Sequence, residues 1–225
     1  MASEFTRSPR LLKGALAVYS PNDSRETPRL IPFQYNPEQV RRTLATRTTP
    51  PERGNAGQAR EDVFRVFGPP VETVNLSIVL SAIDQLEHPD ENTAAKENGL
   101  HPVLALLELL LYPSTEQQQQ QSEQARNGQA QVSASHLPLV LLVWGQNRVA
   151  PVQITTYSVT EEAFDVNLNP IQAKIEIALR VLTPIELPEA NLGREAFLSY
   201  QRTKEQLAQK DQRQADDKIR GWLPQ

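Results

Sequence analysis

The sequence predicts a mainly β chain with helical additions, an α+β fold of antiparallel type. Two segments alternate with a period of two. Val74, Leu76, Ile78, Leu80 and Ala82 form one apolar row, and Ile171, Ala173, Ile175, Ile177, Leu179 and Val181 form another. Such rows put one strand face on a core and the other in water, as antiparallel sheets do. The third observation is the stretch 100–112, apolar on almost every side, with Pro102 early and Pro113 just past its end. It predicts a buried helix, the main one packed on the sheet.

In chain order, apolar runs at 15–19 and 30–35 flank a polar interval with turn chemistry and predict a strand pair. Pro32 cannot donate a ladder hydrogen bond, so the second strand belongs at an edge or its proline at a bulge. From Val40 to Gly68, six arginines face three acidic residues among Thr, Pro and Gly, which predicts a long polar excursion. Its second arm, 62–67, is strand-like, and loops of this length are functional or are ordered by a partner.

After the alternating 74–82 strand and the 100–112 helix, residues 114–135 carry five consecutive glutamines and little apolar content. Such composition predicts a flexible surface loop. LPLVLLVWG at 137–145 is a continuous apolar run bounded by proline and glycine, a strand buried on both faces. Strands 149–159 and 171–183 are expected to form a hairpin around FDVNLNP. Beyond Pro188 the pattern turns helical, with Leu192, Ala196, Phe197 and Tyr200 near one stripe, and the polar remainder ends in a cluster of Ile219, Trp222 and Leu223. The division is a β domain over 1–185, with loops at 40–62 and 114–136, and a helical arm over 186–225.

The bulk numbers narrow the function classes. A 225-residue chain that is 39% hydrophobic has material for one substantial core. The net charge of −4 gives no general attraction to nucleic acid or an anionic membrane. Without cysteine there is no disulfide framework, thiolate zinc site or cysteine nucleophile. The first residues lack an apolar stretch of signal-peptide length, so the expectation is cytoplasmic folding, with release by lysis compatible. The run 103–112 would rise about 15 Å as a helix, half of a bilayer core, so no direct membrane insertion is expected.

Five segments carry a resemblance: FQYNP at 33–37, VNLSIVLSAID at 74–84, PVLALLELL at 102–110, PLVLLVWG at 138–145 and FDVNLNPIQAKIEIALRV at 164–181. In this order they resemble the tube-like N-terminal domain of the LysM-bearing baseplate adaptors of extracellular contractile injection systems, the phage-tail-derived particles of bacteria. The likeness covers roughly residues 12–185 of the sequence. It implies a two-sheet antiparallel β-barrel or sandwich of the phage tail-tube type with one packed helix. It also implies a hexameric ring below the inner tube. The implied partners are copies of the chain itself, the inner-tube protein, the spike-bearing hub and the baseplate wedges, with no cofactor and no reaction. No LysM-like pattern follows Pro184. A main inner-tube protomer or a tube-end protein of the same particle is the nearest alternative, and an unrelated cytoplasmic binding module or cell-wall hydrolase accessory the more distant one.

Catalytic signals are weak. His88, His101 and His136 lie in or beside polar loops without metal-ligand spacing, and there is no phosphate-cradling glycine loop or Gly-x-Ser-x-Gly elbow. Glu161, Glu162 and Asp165 fall at a hairpin end, where solvated charge is expected. The 41–65 arginines lack interleaved aromatics for base stacking, so a subunit contact is favoured over nucleic acid. The candidate interaction residues are Phe33, Gln34, Tyr35 and Asn36 at the edge, and Arg41, Arg42, Arg47 and Phe64 in the excursion. Asn169, Gln172 and Lys174 in the last hairpin and Tyr200 and Trp222 in the arm complete the set. Trp222 is the best docking candidate, because an aromatic at a polar terminus gains most from a partner's pocket.

Overall fold

The computed structural model describes residues 12–20, 27–47, 66–126 and 136–211. Among these, seven strands and five helices follow in chain order. They are β1 (Ala15–Tyr19), β2 (Arg29–Pro32), β3 (Val40–Ala45), β4 (Val71–Ser81), α1 (Ile83–Leu86), α2 (Thr93–Asn98), α3 (His101–Glu108), α4 (Thr115–Arg126), β5 (Leu139–Val143), β6 (Val149–Phe164), β7 (Pro170–Val181) and α5 (Leu192–Gln209). Hydrogen bonding joins all seven strands into one sheet of order β2-β1-β5-β6-β7-β4-β3, antiparallel throughout. The protein is thus α+β, with five helices where the sequence suggested one packed helix and an arm.

Both alternating rows lie on the core. Val74, Leu76, Ile78 and Leu80 of β4 and Ala173, Ile175, Ile177, Leu179 and Val181 of β7 are all buried, and the register sets Leu76 opposite Ile177 and Ile78 opposite Ile175. The β6–β7 hairpin forms as predicted, and β6 continues to Phe164, five residues beyond the expected 159. Register shifts along β6, at 154/156 and 161/163, are bulges that increase local twist and bend the sheet. Leu100, Leu104, Leu107 and Leu110 around α3 and Phe197 and Tyr200 of α5 join the same core as Leu16, Val74 and Leu142. The apolar 100–112 stretch is helical only to Glu108, leaving Leu109 and Tyr112 exposed.

Two sequence expectations are corrected. The stretch read as the start of a polar excursion is the edge strand β3, paired with β4 from Val40↔Leu76 to Ala45↔Val71. Its polar, arginine-rich face concealed it, because an edge strand with much of its surface in water needs no clean apolar row. The glutamine tract is helix α4 rather than a loop: Thr115–Arg126 has no buried residue, and glutamine is a good helix former without tertiary support. Of the strand expected at 62–67, Val66 and Phe67 lie in no strand and the rest falls outside the described residues. The excursion has a closed stem, since the Phe67 N–H donates to the Arg47 carbonyl at 2.9 Å.

Immediately after β2, the FQYNP element turns and grips two separate parts of the sheet. Phe33 is buried and sits 6.2 Å from the Trp144 ring, at a 43° tilt. Gly14 lies beneath both rings: a Cβ there would approach Trp144 to 2.6 Å and Phe33 to 2.9 Å. The Asn36 amide accepts from the Gly14 N–H at 2.8 Å and donates to the Leu12 carbonyl at 2.9 Å. The Gln34 amide donates to the Ser81 carbonyl at 2.7 Å and accepts from the Ser81 N–H at 2.9 Å. It thereby ties the end of β2 to the end of β4, five places away in the strand order.

Gln34→Ala leaves both backbone groups of Ser81 without their partner and is expected to lower the urea unfolding free energy by about 1–3 kcal/mol. Gln34→Glu keeps an acceptor but loses the donor, so it should destabilise too at neutral pH. Unchanged stability in both variants would show that the bridge does not hold the sheet closed.

Candidate functional site

The interaction residues expected from the sequence fall into three groups. Phe33, Gln34 and Asn36 are committed inside the protein, to the core and to the backbone of Ser81, Gly14 and Leu12, so the FQYNP element closes the fold. Tyr35 alone of that element is exposed, its hydroxyl 3.4 Å from Asp84. Phe64 and Trp222 lie outside the described residues.

The second group surrounds a buried carboxylate that sequence reasoning missed. Glu72 of β4 is 3% exposed, and with Thr183 it makes up the buried polar residues among those described. Arg42 on β3 approaches it at 2.7 Å, Lys204 on α5 at 3.0 Å, and the Tyr200 hydroxyl donates to it at 3.0 Å. The Lys204 ammonium also lies 3.8 Å from the centre of the Tyr200 ring, as i,i+4 spacing on a helix permits. Glu72 therefore joins two strands to α5, whose N-terminus is capped by Asn191 accepting from the Gly193 N–H at 2.7 Å.

Burial pushes the Glu72 carboxyl up, but the hydrogen bonds and charges of Lys204 and Arg42 outweigh that effect and hold it below its usual range. Tyr200 is pushed up to about 12 by burial and by the Glu72 carboxylate. A signal for this site does exist in the sequence. Glu72 is in phase with Val74, Leu76 and Ile78, and a charge in the core row of a strand needs partners.

The third group defines the open surface. β2 and β3 are the terminal strands of the sheet, and among the described residues their outer edges have no strand partner. Leu30 on β2 is 62% exposed and Leu44 on β3 51%. Arg41 is exposed on β3, whereas Arg47 turns inward to the Pro69 carbonyl at 3.1 Å and to Glu186 at 3.4 Å. β7, which carries the interaction candidates Gln172 and Lys174, is hydrogen-bonded on both sides, by β6 and by β4. Gln172 and Lys174 lie on its polar face, Lys174 beside Glu176 at 3.4 Å, and Asn169 sits in the hairpin turn.

Among the described residues, no three His, Cys, Asp or Glu side chains gather to hold a metal ion, and no helix is long and apolar enough to cross a membrane. Compared with known proteins, the chain matches no family model and no curated sequence.

Because Glu72 titrates lower folded than unfolded, its contribution is complete above the ordinary glutamate value and is lost as pH falls through the depressed one. Glu72→Gln should cost about 1–3 kcal/mol in urea unfolding at pH 7, and the gap from the parent should narrow on acidification. A gap that stays constant from neutral pH to acid would show that the carboxylate charge is not what secures α5.

Proposed function

We propose that the chain is a non-catalytic structural subunit of a phage-tail-like contractile injection particle, forming a ring that connects the inner tube to the baseplate hub. The observation that carries this reading is an antiparallel sheet whose two terminal strands, bearing exposed leucines, have outer edges without a strand partner among the described residues, in a chain whose motif order resembles the tube-like adaptors. An open edge is a template for another chain, and a ring of copies removes it. The Gln34–Ser81 bridge, which joins the end of β2 to the end of β4, supports the reading of a curved sheet, and the barrel or sandwich of tail-tube type is part of what the resemblance implies. Six copies per ring follow from the resemblance, and so do the inner-tube, hub and wedge partners.

In this reading β2 and β3 of neighbouring copies pair or are covered. Helix α5 is secured to the sheet through Glu72. No reaction and no cofactor belong to this role. A main tube protomer would use the same edges, and copy number separates the two: an adaptor is present as one ring per particle end, a tube protomer in proportion to sheath.

Quantitative mass spectrometry of purified particles should find the chain at one ring's worth, far below sheath. Its absence from particles would overturn the reading, and parity with sheath would assign it to the tube. Leu30→Lys and Leu44→Lys are surface changes expected to alter stability by about 0.5 kcal/mol or less. Both should reduce incorporation, because a lysine on an edge strand opposes pairing.

A further inference from the structure

Strand β6 outruns the strand beside it. It is 16 residues long, but β5 pairs with it only from Val143↔Val149 to Val140↔Val152. Past Val152 it keeps β7 on one side as far as Phe164↔Pro170, and among the described residues no backbone group bonds its other side. Thr155, Ser158, Thr160, Glu161 and Glu162 are exposed along this stretch. The sheet therefore has a third open edge, residues 153–164, longer than the six of β3 or the four of β2.

The edge of β3 matches it on both faces. Leu44 lies opposite Glu72, in the core row of β4, yet it is half exposed because no strand lies beyond it among the described residues. Val159 of β6 lies opposite Ile175 on that same core face and is partly buried against the core. On the charged side, Arg41 is exposed, and neither it nor Glu161 nor Glu162 makes an ion pair among the described residues, whereas Arg42 is held by Glu72. Set antiparallel with Thr43 opposite Thr160, the two strands bring Leu44 to Val159 and Arg41 to Glu162, next to Glu161. Apolar pairs and opposite charges placed directly across a ladder both stabilise it.

Direction and stagger agree with this pairing. Strand direction alternates through β6-β7-β4-β3, so a copy set beside β6 in the same orientation presents its β3 antiparallel to it. Within one chain Thr43 is level with Thr73 and Arg180, and Thr160 with Lys174, an offset of six residues over four strands. At about 3.4 Å per residue and about 4.8 Å per strand, that offset is a strand tilt of roughly 45°, which closed barrels use.

We propose that β3 of one copy adds to the free half of β6 in the next copy, with Arg41 against Glu161 and Glu162 and Leu44 against Val159. The contact is heterologous, with one giving and one receiving edge per copy, and repetition about an axis closes it into a ring with neither edge left over. A closed ring does not lengthen, in keeping with one ring per particle end. The inference deepens the ring reading and rests on it for that closure. β2, four residues long and ending in Pro32, takes no part in the contact.

The chain has no cysteine, so introduced thiols report without background. Purified full-length Thr43→Cys and Thr160→Cys copies, both changed at exposed positions, should form a mixed disulfide under mild oxidation, and neither variant should bond to itself. The double variant should give a ladder that ends at one ring size. Arg41→Glu in the Thr43→Cys copy should slow the mixed disulfide roughly tenfold or more. Glu161→Lys with Glu162→Lys in the Thr160→Cys copy should restore it, and the melting temperatures should not change, since all three charges are at the surface.

The pairing is overturned if no mixed disulfide forms even at about 1 mM chain, where a contact of micromolar affinity is saturated. Bonding of Thr160→Cys copies to each other, a disulfide within one chain of the double variant, a ladder without an end, or charge reversal that restores nothing overturns it equally. Copy number in particles is read separately. A failed disulfide with the chain at one ring's worth leaves the ring but not this contact, and a disulfide in a chain absent from particles leaves the pairing but not the particle reading.

Discussion

The Gln34 side chain bonds both backbone groups of Ser81, and through that pair of hydrogen bonds a strand at one end of the sheet meets a strand near the other. A sheet of seven strands can satisfy this contact only by curving strongly, and the register shifts along β6 supply local twist for it. Curvature in turn decides where the apolar rows go. Leu16 and Ile31 from one flank and Val74 and Leu76 from the other join one core, which the leucines around α3 and the aromatics of α5 help to fill. Phe33, buried against Trp144 over a position where only glycine fits, holds the same turn from the apolar side.

The buried charge at Glu72 works as a specific fastener rather than as a large source of stability. Removing a carboxylate from water is costly, and hydrophobic replacements of buried ion pairs often stabilise proteins. The gain is in position. Arg42, Tyr200 and Lys204 converge on one carboxylate from β3 and α5, so the edge strand and the last helix are set relative to β4. A second carboxylate, Glu186, accepts from the Thr183 N–H and hydroxyl and pairs with Arg180 and Arg47, which fixes the segment between β7 and α5 in the same way.

This allocation of polar groups bears on the kind of work the molecule does. The distinctive charged side chains, Arg42, Arg47, Glu72, Arg180, Glu186 and Lys204, are engaged with one another or with backbone. Exposed large apolar side chains include Leu30 and Leu44 on the sheet's two edge strands, and Val166 and Leu168 at the hairpin tip. An open strand edge is a template for pairing with another chain, and this is what the proposed ring draws on.

Local pattern was enough to read the antiparallel β character, the two core rows, the β6–β7 hairpin and the edge position of the strand carrying Pro32, because period-two burial and proline chemistry act within a few residues. The same pattern misread residues 40–45 and 115–126, where a polar edge strand and a solvated helix bury too little to show an apolar periodicity. The FQYNP element could be seen but not interpreted: its residues look like an offered edge until their partners, Ser81, Gly14 and Leu12, are known. Strand order, the engagement of both sides of β7 and the convergence on Glu72 are long-range facts. They depend on which distant segments meet when the sheet curves, and tertiary structure alone decides that.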